Sequence, residues 1–501
     1  MGGRILSTVF IGAIFSLVLA QQDQDKLLFP KDIVYEGSFS VNGGPRVGCD
    51  ECGTFTYGAA AFGYYPHGDP TGPDDGYPGS LFGSGHAWNH WMVEVNIPTP
   101  VISTAKNIAD LHETTPLQPW ADPFSGIPDA YQTNVWGLLY LEAQGTQSNG
   151  KVYATVGQDE IWVPPNGNSI AWLDPDLSNP NTGGLWRLDT FARWDIGRYM
   201  CEIPKEWADS NTPGKILGCG RERNTGAEGP NLFACAPWEN GNTPAPGDTI
   251  DGVPLLHFTD KGEKMFTPLS NYTGIAWLTY GSRSAVILYA VLDFSMDHGY
   301  ESGHFSLGVF PCFVFYDPSD LSDVVHGRKK SSDPRWYARK NLNQFMYGEP
   351  GPKGGNMDME AGSSYGSGMA YDREHGKIYI GQRIPSQGVF IHVFKIDTTT
   401  SAISKSPVKH KNALKVTACP NPFNPTVHIQ ISGMEPNAEI VSAAIYSLDG
   451  RLVETLYQGA EKSQAAVRTY IWNASLRPSG LYVLRVQYSG TVFTKILALV
   501  K

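Results

Sequence analysis

The sequence predicts an all-β protein in two parts, a β-propeller of five to seven blades with insertions followed by a small immunoglobulin-like β-sandwich. Three observations predict it. The 501 residues include 55 Gly and 36 Pro with only 17% charged residues, a balance that favours turns and compact strands over long solvated helices. A strand, turn and strand phrase recurs through the central region, and period-two alternation of apolar and polar residues fills the last part of the chain.

The phrase opens after a glycine in four places. Gly58 to Phe62 is followed by Ser80 to Gly85, Gly137 to Leu141 by Lys151 to Gly157, Gly274 to Leu278 by Ala285 to Leu292, and Gly368 to Tyr371 by Lys377 to Gly381. Further strands are expected downstream of each pair, at Met92 to Ile97, Ile170 to Leu173, Phe313 to Tyr316 and Val389 to Ile396. Repetition of one supersecondary unit across a domain is the mark of a propeller, and the uneven spacing calls for insertions in the blades. A large jelly roll or stacked sandwich is the competing architecture.

At the C-terminal end, Val427, Ile429 and Ile431 alternate with polar residues, as do Val441, Ala443 and Ile445. Asp449-Gly450 and Ser489-Gly490 supply hairpin turns, where glycine takes the backbone conformation that a tight turn needs. About six short strands in this length make a two-sheet sandwich.

The residues here also carry a resemblance. Pro420-Asn421-Pro422-Phe423-Asn424-Pro425, then Asp449-Gly450-Arg451, then Gly480 before Leu481 and finally Lys495 stand in order near the end of the chain. Together they resemble the C-terminal sorting domain of type IX secretion cargo. The resemblance implies passage through the periplasm, recognition by outer-membrane secretion machinery, and release from a bacterium or display on its outer surface. Cys419 departs from that pattern. The central region is similar to exported bacterial propeller proteins through Tyr35 to Phe39, Val93 to Pro98, Phe315 to Leu321 and Gly368 to Asp372. That likeness implies a fold and carries over no catalytic residue.

The N-terminal end agrees with export. Arg4 precedes an apolar run from Ile5 to Leu19, and Val18-Leu19-Ala20 offers small residues for cleavage. The expected divisions are 1–20 signal peptide, 21–397 propeller, 398–415 linker and 416–501 sorting sandwich. No transmembrane anchor is expected in the mature chain, since no other apolar run is long enough.

A formal net charge of -11 excludes nucleic acid as a natural partner, because phosphate binding needs a basic surface. Seven cysteines in an exported chain permit disulfides. Cys49 and Cys52, with Cys201, Cys219 and Cys235 in a stretch that reads as loop-rich, are the candidates, and their pairing is open.

Candidate ligand residues gather in three stretches. His86, Trp88 and His90 would share one side of an extended strand, and His298, Tyr300 and His304 add a second set. Imidazoles in such number could hold a divalent metal, or they hydrogen-bond loop backbone. Arg193 and Trp194 could line a mouth for a sugar or an anion. The acidic loop Asp69 to Gly76 suggests calcium, against the alternative of a solvated turn. Asp159 with Glu160, or Asp293 with Asp297, are the carboxylate pairs that a glycosidase would need. The expected function is binding or adhesion toward an extracellular glycan or protein. The alternative is a polysaccharide-active enzyme, a glycoside hydrolase or lyase, on the same fold.

Overall fold

The computed structural model describes residues 26–45, 53–55, 61–72, 75–86, 89–127, 134–157, 167–191, 196–221, 229–258, 271–293, 309–348, 365–384, 387–398, 415–432, 439–447, 452–462, 467–488 and 491–501. The chain divides into two compact units, Met1–Ser401 and Ala402–Lys501. The signal segment and the Cys49 and Cys52 pair lie outside the described residues.

The first unit is all-β and propeller-like. After the strand β1 (Ile33–Ser40) come β2 (Phe62–Tyr65), β3 (Ser80–Ser84), β4 (Met92–Asn96) and β5 (Pro116–Ala121), one antiparallel sheet in chain order. A second sheet follows with β6 (Asn134–Leu141), β7 (Lys151–Gly157), β8 (Ile170–Leu173) and β9 (Gly183–Leu188). The third begins with β10 (Tyr199–Glu202), β11 (Leu217–Gly220) and β12 (Leu232–Cys235). The chain then pairs β13 (Thr249–Ile250) back onto β9 in parallel and returns with β14 (Gly252–Leu256) beside β12. The fourth sheet is β15 (Asn271–Tyr280), β16 (Arg283–Asp293), β17 (Val309–Tyr316) and β18 (Ala338–Asn341). The fifth is β19 (Tyr365–Asp372), β20 (Lys377–Ile384) and β21 (Gly388–Ile396), and its fourth strand is β1.

The first strands pack on one another in a closed order, β2 on β6, β6 on β10, β10 on β15, β15 on β19 and β19 on β2. Glycines allow the approach. A Cβ on Gly63 would come within 2.9 Å of Leu138 Cβ, one on Gly137 within 3.0 Å of Tyr199 Cα, and one on Gly274 within 2.4 Å of Met369 Cβ. These are glycines of the recurring phrase, or one residue beyond it, so the local sequence signal has a tertiary cause.

Three of the phrase pairs fall on the first two strands of sheets two, four and five, and the four downstream strands are third strands; in sheet one the second member falls on β3, while the first strand runs Phe62–Tyr65 and meets the expected Gly58 to Phe62 only at Phe62. Sheet three was not legible. Its strands are four or five residues long and run through Cys201, Cys219 and Cys235, so the stretch read as loop-rich is a sheet. The expected disulfide there is corrected as well. The three thiols are free and buried on adjacent strands, where they serve as small apolar core residues. Burial pushes the Cys201 thiol up to about 12, and a side-chain hydrogen bond with Cys235 is the first cause raising that of Cys219.

Strand β1 closes the fifth sheet through a buried polar network. Tyr35 donates to His392 Nδ1 at 3.1 Å, and His392 Nε2 meets Gln382 Oε1 at 2.8 Å. The Gln382 amide is oriented by its bonds to Tyr347 O and from Tyr347 N, at 2.8 and 3.0 Å, so the imidazole carries its proton on Nε2. Ser38 Oγ lies 2.6 Å from the Tyr347 hydroxyl. Burial first, and then the Lys106 charge, hold the His392 pKa down at about 3, against about 6.5 in an unfolded chain. The neutral form is the folded one. Stability is therefore fully present above pH ~6.5 and falls toward pH ~3, by at most about 1.4 kcal/mol per pH unit for this one group. In denaturant melts, His392→Phe is expected to be weaker than the parent at pH 7 yet to lose less on going from pH 6 to 4. An equal loss in both would refute that role for His392.

The second unit holds a three-stranded sheet of β22 (Lys415–Cys419), β23 (Thr426–Ser432) and β26 (Val467–Asn473). A four-stranded sheet has the order β25 (Leu452–Lys462), β24 (Glu439–Ser447), β27 (Gly480–Tyr488) and β28 (Thr491–Leu499). Ile429, Ile431 and Trp472 of one sheet pack with Ile445, Leu484, Val486 and Leu497 of the other. It is a sandwich with one core. No helix among the described residues is long and apolar enough to cross a membrane.

Candidate functional site

The five first strands line one cavity of about 280 Å³, with Tyr64 from β2, Leu138 to Leu141 from β6, Met200 to Glu202 from β10, Ile275 to Trp277 from β15 and Met369 to Asp372 from β19. Its polar end is built by residues at the ends of these strands and just beyond them, among them His67, Glu142, Glu202, Arg373 and Glu374. The walls are mostly apolar.

Two clusters shape that end. His67 Nε2 lies 2.7 Å from Glu142 Oε1, and the Tyr140 hydroxyl donates to Glu142 Oε2 at 3.0 Å. Tyr140 also packs edge-on against Tyr65, with ring centroids 4.8 Å apart. Across the cavity, Arg373 donates from Nε to Glu202 Oε2 at 2.9 Å, from one terminal nitrogen to Glu202 O at 3.0 Å, and from the other to Thr279 Oγ1 at 3.0 Å. This guanidinium ties β19 to β10 and β15. Asp372 is fully buried and accepts from the backbone N and Nδ1 of His375, at 3.1 and 2.8 Å.

Burial, reinforced by Asp372, raises the Tyr64 hydroxyl well above the usual phenol range, and burial with the Glu142 hydrogen bond does the same for Tyr140. Both remain hydrogen-bond donors at any physiological pH. The Cys201 thiol that lines the cavity stays protonated for the same reason. The Tyr64 and Tyr140 hydroxyls donate within the protein, to Pro78 O and Glu142 Oε2 at 3.0 Å each, so the site presents a guanidinium, carboxylate acceptors and an apolar wall, a set that suits a hydroxyl-rich ligand.

None of His67, Tyr140, Glu142, Glu202 and Arg373 stood out in the sequence as a ligand residue. A signal was present. Glu142 and Arg373 follow the phrase glycines Gly137 and Gly368 by five residues each, so polar residues recur at one offset from the phrase glycine.

Of the ligand residues singled out earlier, His86 and His90 are among the described residues, and neither lines this cavity. His86 is buried and His90 half-buried on the connection between β3 and β4, closed by a 2.8 Å bond from Gly85 N to Trp91 O. His90 Nδ1 lies 3.8 Å from Asp122 Oδ1. Trp88, Arg193, Trp194, His298, Tyr300 and His304 lie outside the described residues, as do Asp159, Glu160 and Asp297. Among the described residues no group of three His, Cys, Asp or Glu could hold a metal ion. In the acidic loop, Asp69 Oδ1 accepts from Thr71 N at 2.8 Å and Asp75 Oδ1 from Tyr77 N at 2.9 Å, which is turn capping.

In the second unit the proline-rich segment covers an edge. Ala498 N donates to Asn421 Oδ1 and Asn421 Nδ2 to Ile496 O, both at 2.8 Å, so one side-chain amide pairs with β28 as a neighbouring strand would. Phe423 continues the pairing with Ala498 O and Val500 N, at 2.9 and 3.0 Å. Such cover protects an exposed strand edge. Asn421→Ala is expected to cost about 1 kcal/mol and to speed hydrogen exchange at the Ala498 amide. Unchanged exchange there would remove that role. Asp449, Gly450 and Arg451 lie outside the described residues, Gly480 opens β27, and Lys495 is exposed on β28.

An all-β, propeller-like unit and a terminal β-sandwich unit are the class that the fold defines. Residues 417–499 match the family described as the secretion system C-terminal sorting domain. The chain is cargo of type IX secretion, sent to the medium or the outer cell surface. No curated protein matches it. Among solved structures it is similar to the Aspergillus kawachii beta-fructofuranosidase complexed with glycerol, at 9% identity and TM-score 0.33, over 94% of this chain and 92% of that one. It is also similar to dimeric latent PorU from Porphyromonas gingivalis, at 10% identity and TM-score 0.16, over 72% of this chain and 32% of that one. At such scores neither likeness bears on activity.

Proposed function

We propose that the chain is an exported binding protein, a five-bladed β-propeller with an immunoglobulin-like sorting domain, which engages an extracellular hydroxyl-rich glycan at its central cavity. The signal peptide is 1–20, the propeller 21–397, the linker 398–415 and the sorting domain 416–501. The observation that supports the reading is the convergence of all five first strands on one cavity whose polar end holds Tyr140, Glu142, Glu202 and Arg373. Display at the cell surface would place that cavity where polysaccharide is met.

Passing the mature chain over a panel of immobilised polysaccharides, beside an assay for released reducing ends, tests this. Retention without turnover is expected, with Glu142→Ala and Arg373→Ala each weakening it about tenfold, as loss of charged hydrogen bonds does. Absence of retention on every surface overturns the proposal. Product release abolished by Glu142→Gln or Glu202→Gln replaces binding with catalysis.

A further inference from the structure

The central cavity has a neighbour. A space of about 340 Å³ lies at the ends of the fourth and fifth sheets, lined by Tyr280 at the end of β15, by Arg373 to Gly376 in the turn between β19 and β20, and by Lys395 to Asp397 at the end of β21. Arg373 and Glu374 line the central cavity as well, so the two spaces meet across this turn. Taken singly, about 280 and 340 Å³ stand at the lower bound for a ligand pocket. Joined, they fall well inside the usual range of roughly 300–1,000 Å³.

The floor between them is fixed. Arg373 spends its hydrogen bonds on Glu202 and Thr279, its guanidinium lies 5.5 Å from the Tyr371 ring centroid, and the Tyr371 hydroxyl donates to Thr279 O at 3.4 Å. These bonds hold the end of β19 to that of β15. Tyr280, the next residue, lines the outer cavity and is 44% exposed. Its backbone is anchored, since it pairs with Arg283 across the turn and Arg283 donates to Leu27 O at 2.9 Å and to Asp32. An aromatic ring exposed on a held backbone at the mouth of a cavity offers contact area to the apolar face of a ligand at little ordering cost. In the central cavity the carboxylates of Glu142, Glu202, Asp372 and Glu374 outnumber Arg373 and His67, which disfavours an anionic ligand.

Resting on the glycan reading of the central cavity, we infer that the two spaces form one groove whose ligand is a run of several units of a linear, uncharged, equatorially linked glycan, a β-1,4-glucan in its simplest form. One unit sits among the first strands, the chain crosses over Arg373 and Glu374, and a further unit lays its C–H face on Tyr280. Equatorial hydroxyls point outward around the sugar ring and leave its two faces apolar, which is the surface a tyrosine ring stacks on. Length and the absence of charge are thus both selected, the first by Tyr280 and the second by the surplus of carboxylates.

The test titrates the full mature chain calorimetrically with cellobiose, cellohexaose and trigalacturonic acid. Cellohexaose is expected to bind about tenfold more tightly than cellobiose, and trigalacturonic acid not to bind. Tyr280→Ala, at an exposed position where the fold is safe, should weaken cellohexaose about tenfold and leave cellobiose unchanged, whereas Tyr280→Phe should keep the parent affinity because the ring remains. Glu142→Ala, in the central cavity, should weaken both glucans alike. Equal affinity for the two glucans, a Tyr280→Ala chain that holds cellohexaose as firmly as the parent, or binding of the acid overturns the groove and leaves the central site in place. A chain that binds neither glucan but is retained by another polysaccharide overturns the glycan class inferred here, and a chain retained by none fails the central reading itself.

Discussion

A mature chain that starts at Val41, and so lacks β1, will not form a stable first unit. β1 fills the fourth position of the fifth sheet, paired with β21 from Ile33↔Ile396 to Ser40↔Phe390, and Ile33 and Phe39 are fully buried. Burying those two side chains is worth roughly 3–6 kcal/mol, against a total stability of about 5–15 kcal/mol for a typical domain. The residues just before β1 are lost too. Asp32 is buried and pairs with Arg283 of β16 at 2.5 Å, and Leu28 N donates to Ser284 O at 3.1 Å. The deletion therefore leaves Arg283 without that carboxylate and opens the edge of β21. The expected result is loss of the cooperative melt and aggregation on size-exclusion chromatography, whereas a chain ending at Ser401 keeps the melt of its first unit. A truncated chain that melts within a few degrees of the parent would sink the idea.

The second large effect is expected at Gly274. Its added Cβ would lie 2.4 Å from Met369 Cβ and 2.8 Å from Met369 N, and backbone held between two packed strands cannot yield as a flexible side-chain end can. Overpacking of this kind costs typically 1–3 kcal/mol, and Gly274→Val belongs at or above the top of that range, about 3 kcal/mol. Gly281→Ala is the control. Gly281 has φ of 58° with nothing within 4 Å of its Cβ position, so its cost is conformational only, about 1–2 kcal/mol. Midpoints from urea unfolding compare the two, and equal shifts would mean that the contact between first strands does not constrain this position.

Both predictions concern features that the sequence displayed without explaining. The phrase glycines were visible as punctuation, but their reason, the approach of a neighbouring sheet, is set by residues such as Tyr199 and Met369 far along the chain. Tyr35 to Phe39 was quoted for a family likeness, and nothing local to it says that it pairs with Gly388–Ile396. Fourth strands such as Pro116–Ala121 and Ala338–Asn341 are short, half-exposed and rich in polar residues or proline, so alternation is too weak to mark them. His86 and His90 attracted attention because histidines and tryptophans crowd a short stretch. Glu142 and Glu202 did not, because a lone carboxylate after a strand is ordinary.

The sequence by itself determined what depends on near neighbours. The recurring phrase placed most of the inner strands of four sheets, alternation placed strands of the terminal sandwich, and the ordered motifs near the C-terminus identified the domain that sends the chain out of the cell. Only the tertiary structure decided the closure by β1, the free thiols of the third sheet, and which side chains share a cavity. Those outcomes rest on pairs such as Tyr35 with His392, 357 positions apart, and on Arg373 reaching Glu202. No window of local pattern spans such distances, and packing free energy selects among partners only once the whole chain has collapsed.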